Sequence, residues 1–228
     1  MSETISARRG RSPTATLLAR VNDPRAPVIA APARVLAALV RVLALAWLLL
    51  GHAHAVAQVQ SLGLQDAAAR LAQGGYLMMI RHARTEPGLG DPPNFRIGDC
   101  ATQRNLSAEG REQSRALGAM LREAGIRIAT VRSSQWCRCR DTAQLAFGDH
   151  EPWPALNSFF NDRSDEPART REVLAYARTL RAPDNAMLVT HQVNIGAVFG
   201  VFTSPGEIVA GRWRDGRLVA EFRFVAQR

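Results

Sequence analysis

The sequence predicts an α/β fold: a three-layer sandwich in which a mostly parallel sheet carries helices on both faces and ends in a C-terminal hairpin. Three observations predict it. Tyr76–Ile80 (YLMMI) and Ala186–Thr190 (AMLVT) are short, unbroken apolar runs, the pattern of strands buried on both faces. Segments with helical patterning alternate with these runs, which favours parallel crossover connections. Finally, Glu207–Ala210 and Leu218–Val225 are separated by Asp215-Gly216, a hairpin turn pair.

Taken in order, Gln65–Gln73 (QDAAARLAQ) reads as a helix stopped by Gly74-Gly75. The first strand follows, then a loop rich in Gly, Pro and Asp from Arg84 to Arg104. Ser107 is placed to cap a helix whose Leu117, Met120, Leu121 and Ala124 share one face, with Gly125 near its end. Ile126–Ser133 is expected as a strand, Trp136–Phe147 and Glu166–Leu180 as helices, and a further helix after His191.

At 46% hydrophobic and 21% charged, the 228-residue chain has globular composition, which excludes disordered, collagen-like and multi-spanning classes. Every basic residue is Arg, and the net charge is +9. That charge is concentrated at one end: residues 1–57 hold seven Arg against Glu3 and Asp23. A uniformly basic surface is therefore absent and nucleic acid is not an expected partner.

Residues 1–57 read as a signal peptide with a long n-region. Arg34 and Arg41 precede the apolar run Val42–Leu50, and Ala53-His54-Ala55 and Ala55-Val56-Ala57 offer small-x-small cleavage sites. Nine to sixteen apolar residues fall short of the ~20 a spanning helix needs. The expected location is periplasmic or secreted, or membrane-anchored if the signal is uncleaved. No Met occurs between Met1 and Met78, so a start at a valine codon such as Val35 stays open. Residues 58–228 then form one domain, with membrane contact only through the signal segment. Cys100, Cys137 and Cys139 lack zinc-site spacing. Cys100 bridged to Cys137 or Cys139, or three buried thiols, are the alternatives.

Chemistry in such sheets collects at the carboxyl ends of strands. The first strand ends in Arg81-His82, the second runs into Ser133–Arg138, and the third ends in Thr190-His191. Arginine offers planar paired donors to phosphate oxygens, and neutral imidazole is a nucleophile. Two of each converging make a dianion pocket with its own nucleophile.

At these residues the sequence resembles the histidine phosphatase superfamily, which includes phosphoglycerate mutases and acid phosphatases. Arg81-His82-Ala83-Arg84-Thr85 resembles its R-H-G-x-T motif, with Ala83 in place of glycine. Leu106–Gln113 resembles L-[ST]-x-x-G-x-x-Q, Ser133–Ala143 (SSQWCRCRDTA) resembles S-S-x-x-x-R-x-x-x-T-A, and Thr190-His191 fits the second histidine. The resemblance implies that His82 attacks phosphorus while Arg81, Arg138 and His191 hold the phosphoryl oxygens, with Asn105 and Thr85 as further substrate contacts. It implies no metal and no cofactor. The two positions that usually supply the leaving-group acid hold Ser158, in Leu156-Asn157-Ser158, and Gln192. Glu207 ranks first among the substitutes, ahead of Asp91, Asp99, Glu86 and Asp165.

Gly90–Ser107, Ser133–Cys139 and Leu156–Phe160 are similar to exported lipopolysaccharide core heptose phosphate phosphatases. The expected partner is therefore a phosphorylated small molecule or a lipopolysaccharide core sugar phosphate. Two alternatives remain: a phosphate-binding module with little turnover, and a phosphoglycerate mutase, whose cytoplasmic substrates conflict with export.

Overall fold

The structure is a computed structural model that describes residues 59–226. The segment over 1–57, expected as a signal peptide, lies outside the described residues. Seven strands form one sheet in the order β1-β7-β6-β2-β5-β3-β4. In chain order these are β1 (Gln60–Ser61), β2 (Leu77–Arg81), β3 (Thr130–Ser133), β4 (Glu151–Pro152), β5 (Ala186–Thr190), β6 (Glu207–Arg214) and β7 (Arg217–Val225). Four of the six pairings are parallel, while β6 runs antiparallel to both its neighbours. The helices are α1 (Leu64–Leu71), α2 (Ala108–Glu123), α3 (Cys137–Phe147), α4 (Glu166–Ala177) and α5 (Gln192–Phe199).

Side-chain alternation along the central strands divides the core in two. Tyr76, Met78 and Ile80 pack with Met187 and Val189 against α1, α2 and α3. Leu77 and Met79 pack with Ala186 and Leu188 against α4 and α5. Because β2 and β5 are buried on both faces, their sequences are unbroken apolar runs. The three-layer expectation holds.

Several boundaries differ from the sequence reading. The strand expected over Ile126–Ser133 begins only at Thr130, because residues 126–129 leave the ladder. Ile126 N–H turns back to Leu121 O, and the Asn185 side chain donates to Arg127 O. The helix expected to reach Leu180 ends at Ala177. β6 continues past Ala210 through a bulge at Ala210/Gly211 and reaches Arg214. Asp215 (φ 47°) and Gly216 (φ 79°) then make the left-handed pair that closes the hairpin. β1 and β4 have two residues each, too few to show periodicity.

Cys100 is bonded to Cys137, and Cys139 is a buried free thiol. The bridge spans 37 residues and contributes about 4 kcal/mol in the chain-entropy account. It also ties the long loop after β2 to the first turn of α3.

Candidate functional site

The register of β2 on β5 pairs Arg81 with Thr190, so the next residue of each strand, His82 and His191, emerge side by side. Neighbouring strands lie about 4.8 Å apart, and the two imidazole centroids are 5.4 Å apart, edge to face. His82 is held in line by its own N–H, which bonds Thr190 O at 3.0 Å. β3 ends on the same edge, where Ser134 N–H bonds Val189 O. Helices α3 and α5 both begin here, bringing their positive ends to the cavity.

Both histidines are buried. His82 Nδ1 lies 2.9 Å from Ala83 O, which can only accept, so Nδ1 carries the proton and Nε2 keeps its lone pair. Burial, then the positive charge of Arg138, pushes its pKa down to about 3. His191 is held well below its ordinary value by burial, with Arg138 and His82 adding to the effect. Its Nε2 meets Ser134 Oγ at 2.9 Å, and Ser134 in turn donates to Asn157 Oδ1. On the other side of the ring, Nδ1 faces the Arg138 guanidinium at 3.4 Å.

Arg81, Arg104 and Arg138 are among the residues that line a cavity of about 520 Å³ with the two histidines. Burial depresses the pKa of Arg81 and of Arg104, and Arg138 lowers both further, the mark of guanidinium groups crowded together. The Nε–H of each arginine is buried without a hydrogen-bond partner, which leaves donor capacity for an anion. Arg81 is aimed by Thr203 O, and Gln192 holds Thr203 through both its N–H and its hydroxyl. Arg138 pairs with Asp91 at 2.7 Å, both side chains being almost fully buried. Trp136 Nε1–H and Arg104 N–H also donate to Asp91. Burial works to raise the Asp91 pKa, but Arg138 and these donors bring it below the ordinary carboxylate value.

The helix-start motif braces this site. A Cβ on Gly110 would lie 1.9 Å from Arg84 O, so only glycine lets α2 approach the chain just after His82. Gln113 accepts from Arg84 N–H and donates to Pro205 O, which joins the loop after β2 to the loop before β6. Thr142 accepts from Ala83 N–H and donates to Arg138 O, linking β2 to α3.

Arg81, His82, Arg138 and His191 are thus brought together. Thr85, Asn105 and Glu207 are not among the cavity-lining residues. Thr85 Oγ1 accepts from Arg104, and Asn105 donates to Cys100 O, so both act behind the wall. Glu207 is a correction: it bonds Arg223 and the Ser204 N–H. Burial would raise its pKa, but those contacts lower it. Glu207 stands beside Arg81 at the sheet edge, since the antiparallel register sets Ile208 opposite Ile80, but its carboxylate turns to Arg223 on β7 and not to the cavity. Of the other carboxylates, Asp99 caps a turn, and Asp165 lies on the cavity wall paired with Arg169. Ser158 and Gln192 also line the wall. The sequence reading missed Arg104, Trp136 and Asn157. Arg104 stands directly before the Asn105-Leu106-Ser107 motif, where a third arginine was the available signal. Cys139 lies 3.5 Å from His191 Nε2, with its thiol pushed up to about 12 by burial, which makes it a packing residue.

Residues 77–164 match the profile of the Histidine phosphatase superfamily (branch 1). No curated protein matches the chain. Among solved structures, TTHB049 from Thermus thermophilus is 23% identical, with 66% of this chain and 99% of that chain covered and a TM-score of 0.45. The alpha-ribazole phosphatase from Shigella flexneri is 18% identical, with 64% and 94% covered and a TM-score of 0.45.

Proposed function

We propose, from the superfamily membership that the match over residues 77–164 supports, that the chain is a phosphomonoesterase working through a phosphohistidine on His82. The observation that carries the proposal is a buried, neutral His82 whose Nε2 lone pair is free, set 5.4 Å from His191 and surrounded by arginines.

In the first step Nε2 attacks phosphorus, the N–P bond forms and the ester O–P bond breaks. Arg81, Arg138 and Arg104 hold charge on the transferring oxygens, and His191 sits beside them. Water then attacks phosphorus, the electron pair returns to Nε2 and phosphate departs. One proton of the water stays with phosphate and the other balances the released alkoxide. Each carboxylate on the cavity wall is already engaged: Asp91 by Arg138, Asp162 by Ser164 N–H and Asp165 by Arg169. An acid poised to protonate the leaving oxygen is therefore not built into the wall. That favours esters with good leaving groups, and it also supports the second reading, a phosphate-binding module with little turnover.

The test is acid-labile trapping of labelled phosphate on His82 across a panel of esters. Phosphoenzyme that forms and is released supports the esterase, phosphoenzyme that persists supports the binding module, and label surviving in His82→Ala rejects the nucleophile. The signal segment and the similarity over Gly90–Ser107 support export to the periplasm or beyond, where envelope phosphate esters, lipopolysaccharide core sugar phosphates among them, are the substrate class within reach. A secreted form beginning near Val56 or Gln58 by mass spectrometry is the expected result.

A further inference from the structure

The mouth of the cavity is chemically unlike its base. Among the described residues three large apolar side chains are more than half exposed, and all three line this cavity: Leu89 at 89%, Phe202 at 73% and Phe160 at 54%. They come from three loops far apart in sequence, those following β2, preceding α4 and following α5. Single exposed apolar residues are ordinary, but three converging on one concave site mark a ligand surface. The apolar surface continues inward. Phe95 packs on Trp136 at 5.5 Å between centroids, and Trp136 packs on His191 at 5.6 Å.

Apart from the arginine Nε–H groups at the base and Ser158 and Asn161 near Phe160, the main polar side chains of the wall are bound within the protein. Asp91 is bound by Arg138, Arg104 and Trp136, Gln192 by Thr203 and Val201, and Asp165 by Arg169. A leaving group rich in hydroxyls would find few free side-chain partners here, whereas hydrocarbon would meet Leu89, Phe160 and Phe202 at the mouth and Phe95 and Trp136 further in.

We infer that the substrate is a phosphomonoester of an apolar alcohol: the phosphoryl group sits at His82 while a hydrocarbon or aromatic group on the ester oxygen lies against Phe160, Phe202 and Leu89. This rests on the phosphatase reading above and narrows it, placing core sugar phosphates outside the preferred class.

The test measures binding of methylphosphonate and octylphosphonate by calorimetry, below the aggregation concentration of the latter, together with turnover of phenyl phosphate and 4-butylphenyl phosphate, whose leaving groups match in basicity. Full burial of a methylene is worth about a factor of four, so half-burial at an open mouth gives about twofold each, or about 10²-fold for octyl over methyl. The doubly substituted Phe160→Ser, Phe202→Ser protein, altered only at exposed positions, is expected to bring that ratio within about threefold by the same reasoning. Equal affinity for the two phosphonates overturns the inference, as does kcat/KM for phenyl phosphate matching that for 4-butylphenyl phosphate. If octylphosphonate binds tightly but no ester yields phosphohistidine, the phosphatase reading fails while the ligand class stands.

Discussion

The base of the cavity and its mouth are built on opposite principles. At the base, His82, His191 and Arg138 sit at strand ends and helix starts, buried and fixed by backbone or neighbouring side chains. At the mouth, Leu89, Phe160 and Phe202 stand in solvent on loops. The base has the rigidity that phosphoryl transfer needs, since misplacing a donor costs rate. The mouth can vary without disturbing that geometry, which is where selectivity for the alcohol would reside.

Asp91 joins the two, because it sits on a mouth loop and reaches Arg138 at the base. Its removal is the largest expected disturbance. Asp91→Ala leaves Arg138 buried and unpaired and should destabilise the fold by about 3 kcal/mol in urea unfolding. Added phosphate should restore more stability to this variant than to the parent, because the anion no longer competes with a carboxylate. Equal stabilisation of the two would mean that Asp91 and phosphate do not share Arg138.

Arg138→Lys keeps the charge but loses the planar fork, and should lower kcat about 10²-fold. Arg140, two residues along and exposed, should tolerate Lys within about twofold, as surface positions usually do. Similar losses at both positions would contradict the division between base and surface.

The third prediction concerns pH. His82 is depressed to about 3, whereas the unfolded chain titrates near 6.5. Between those values the unfolded state binds the extra proton, so its stabilising neutrality is fully present above pH 6.5 and is lost as pH falls. The slope is about 1.4 kcal/mol per pH unit. His191, depressed in the same direction, adds to it. Unfolding free energies of the parent and of His82→Gln from urea titrations should diverge by about 2 kcal/mol between pH 7 and 5; parallel curves would show that His82 is not held neutral.

The smallest effect is expected at Glu207, outside both regions. Glu207→Gln should cost about 1 kcal/mol through its bond to Arg223 and should leave the dependence of rate on leaving-group basicity unchanged. A steeper dependence in that variant would return Glu207 to the mechanism.

Much of the base could be read from the chain, because it follows from period and position. Unbroken apolar runs announce strands buried on both faces, and the residues just after them, His82 and His191, must lie at the same sheet edge once those strands are parallel neighbours. The placing of Ser107, Gly110 and Gln113 before an apolar helix face was equally visible. What the sequence did not determine was every relation that depends on where loops return. Glu207 opens β6 at the sheet edge beside Arg81, yet its carboxylate turns to Arg223 on β7 and not to the cavity. Cys137 rather than Cys139 pairs with Cys100, and only the start of α3 decides which of two cysteines, two residues apart, faces the loop. Arg104 and Asp91 enter the cavity through a loop without periodicity, so their meeting with Arg138 rests on tertiary packing alone. The apolar mouth is likewise a product of three separate loops. Local patterning determines which residues belong to strands and helices, whereas contacts across tens of residues are set by the folded chain's excluded volume and by the pairing of buried charge.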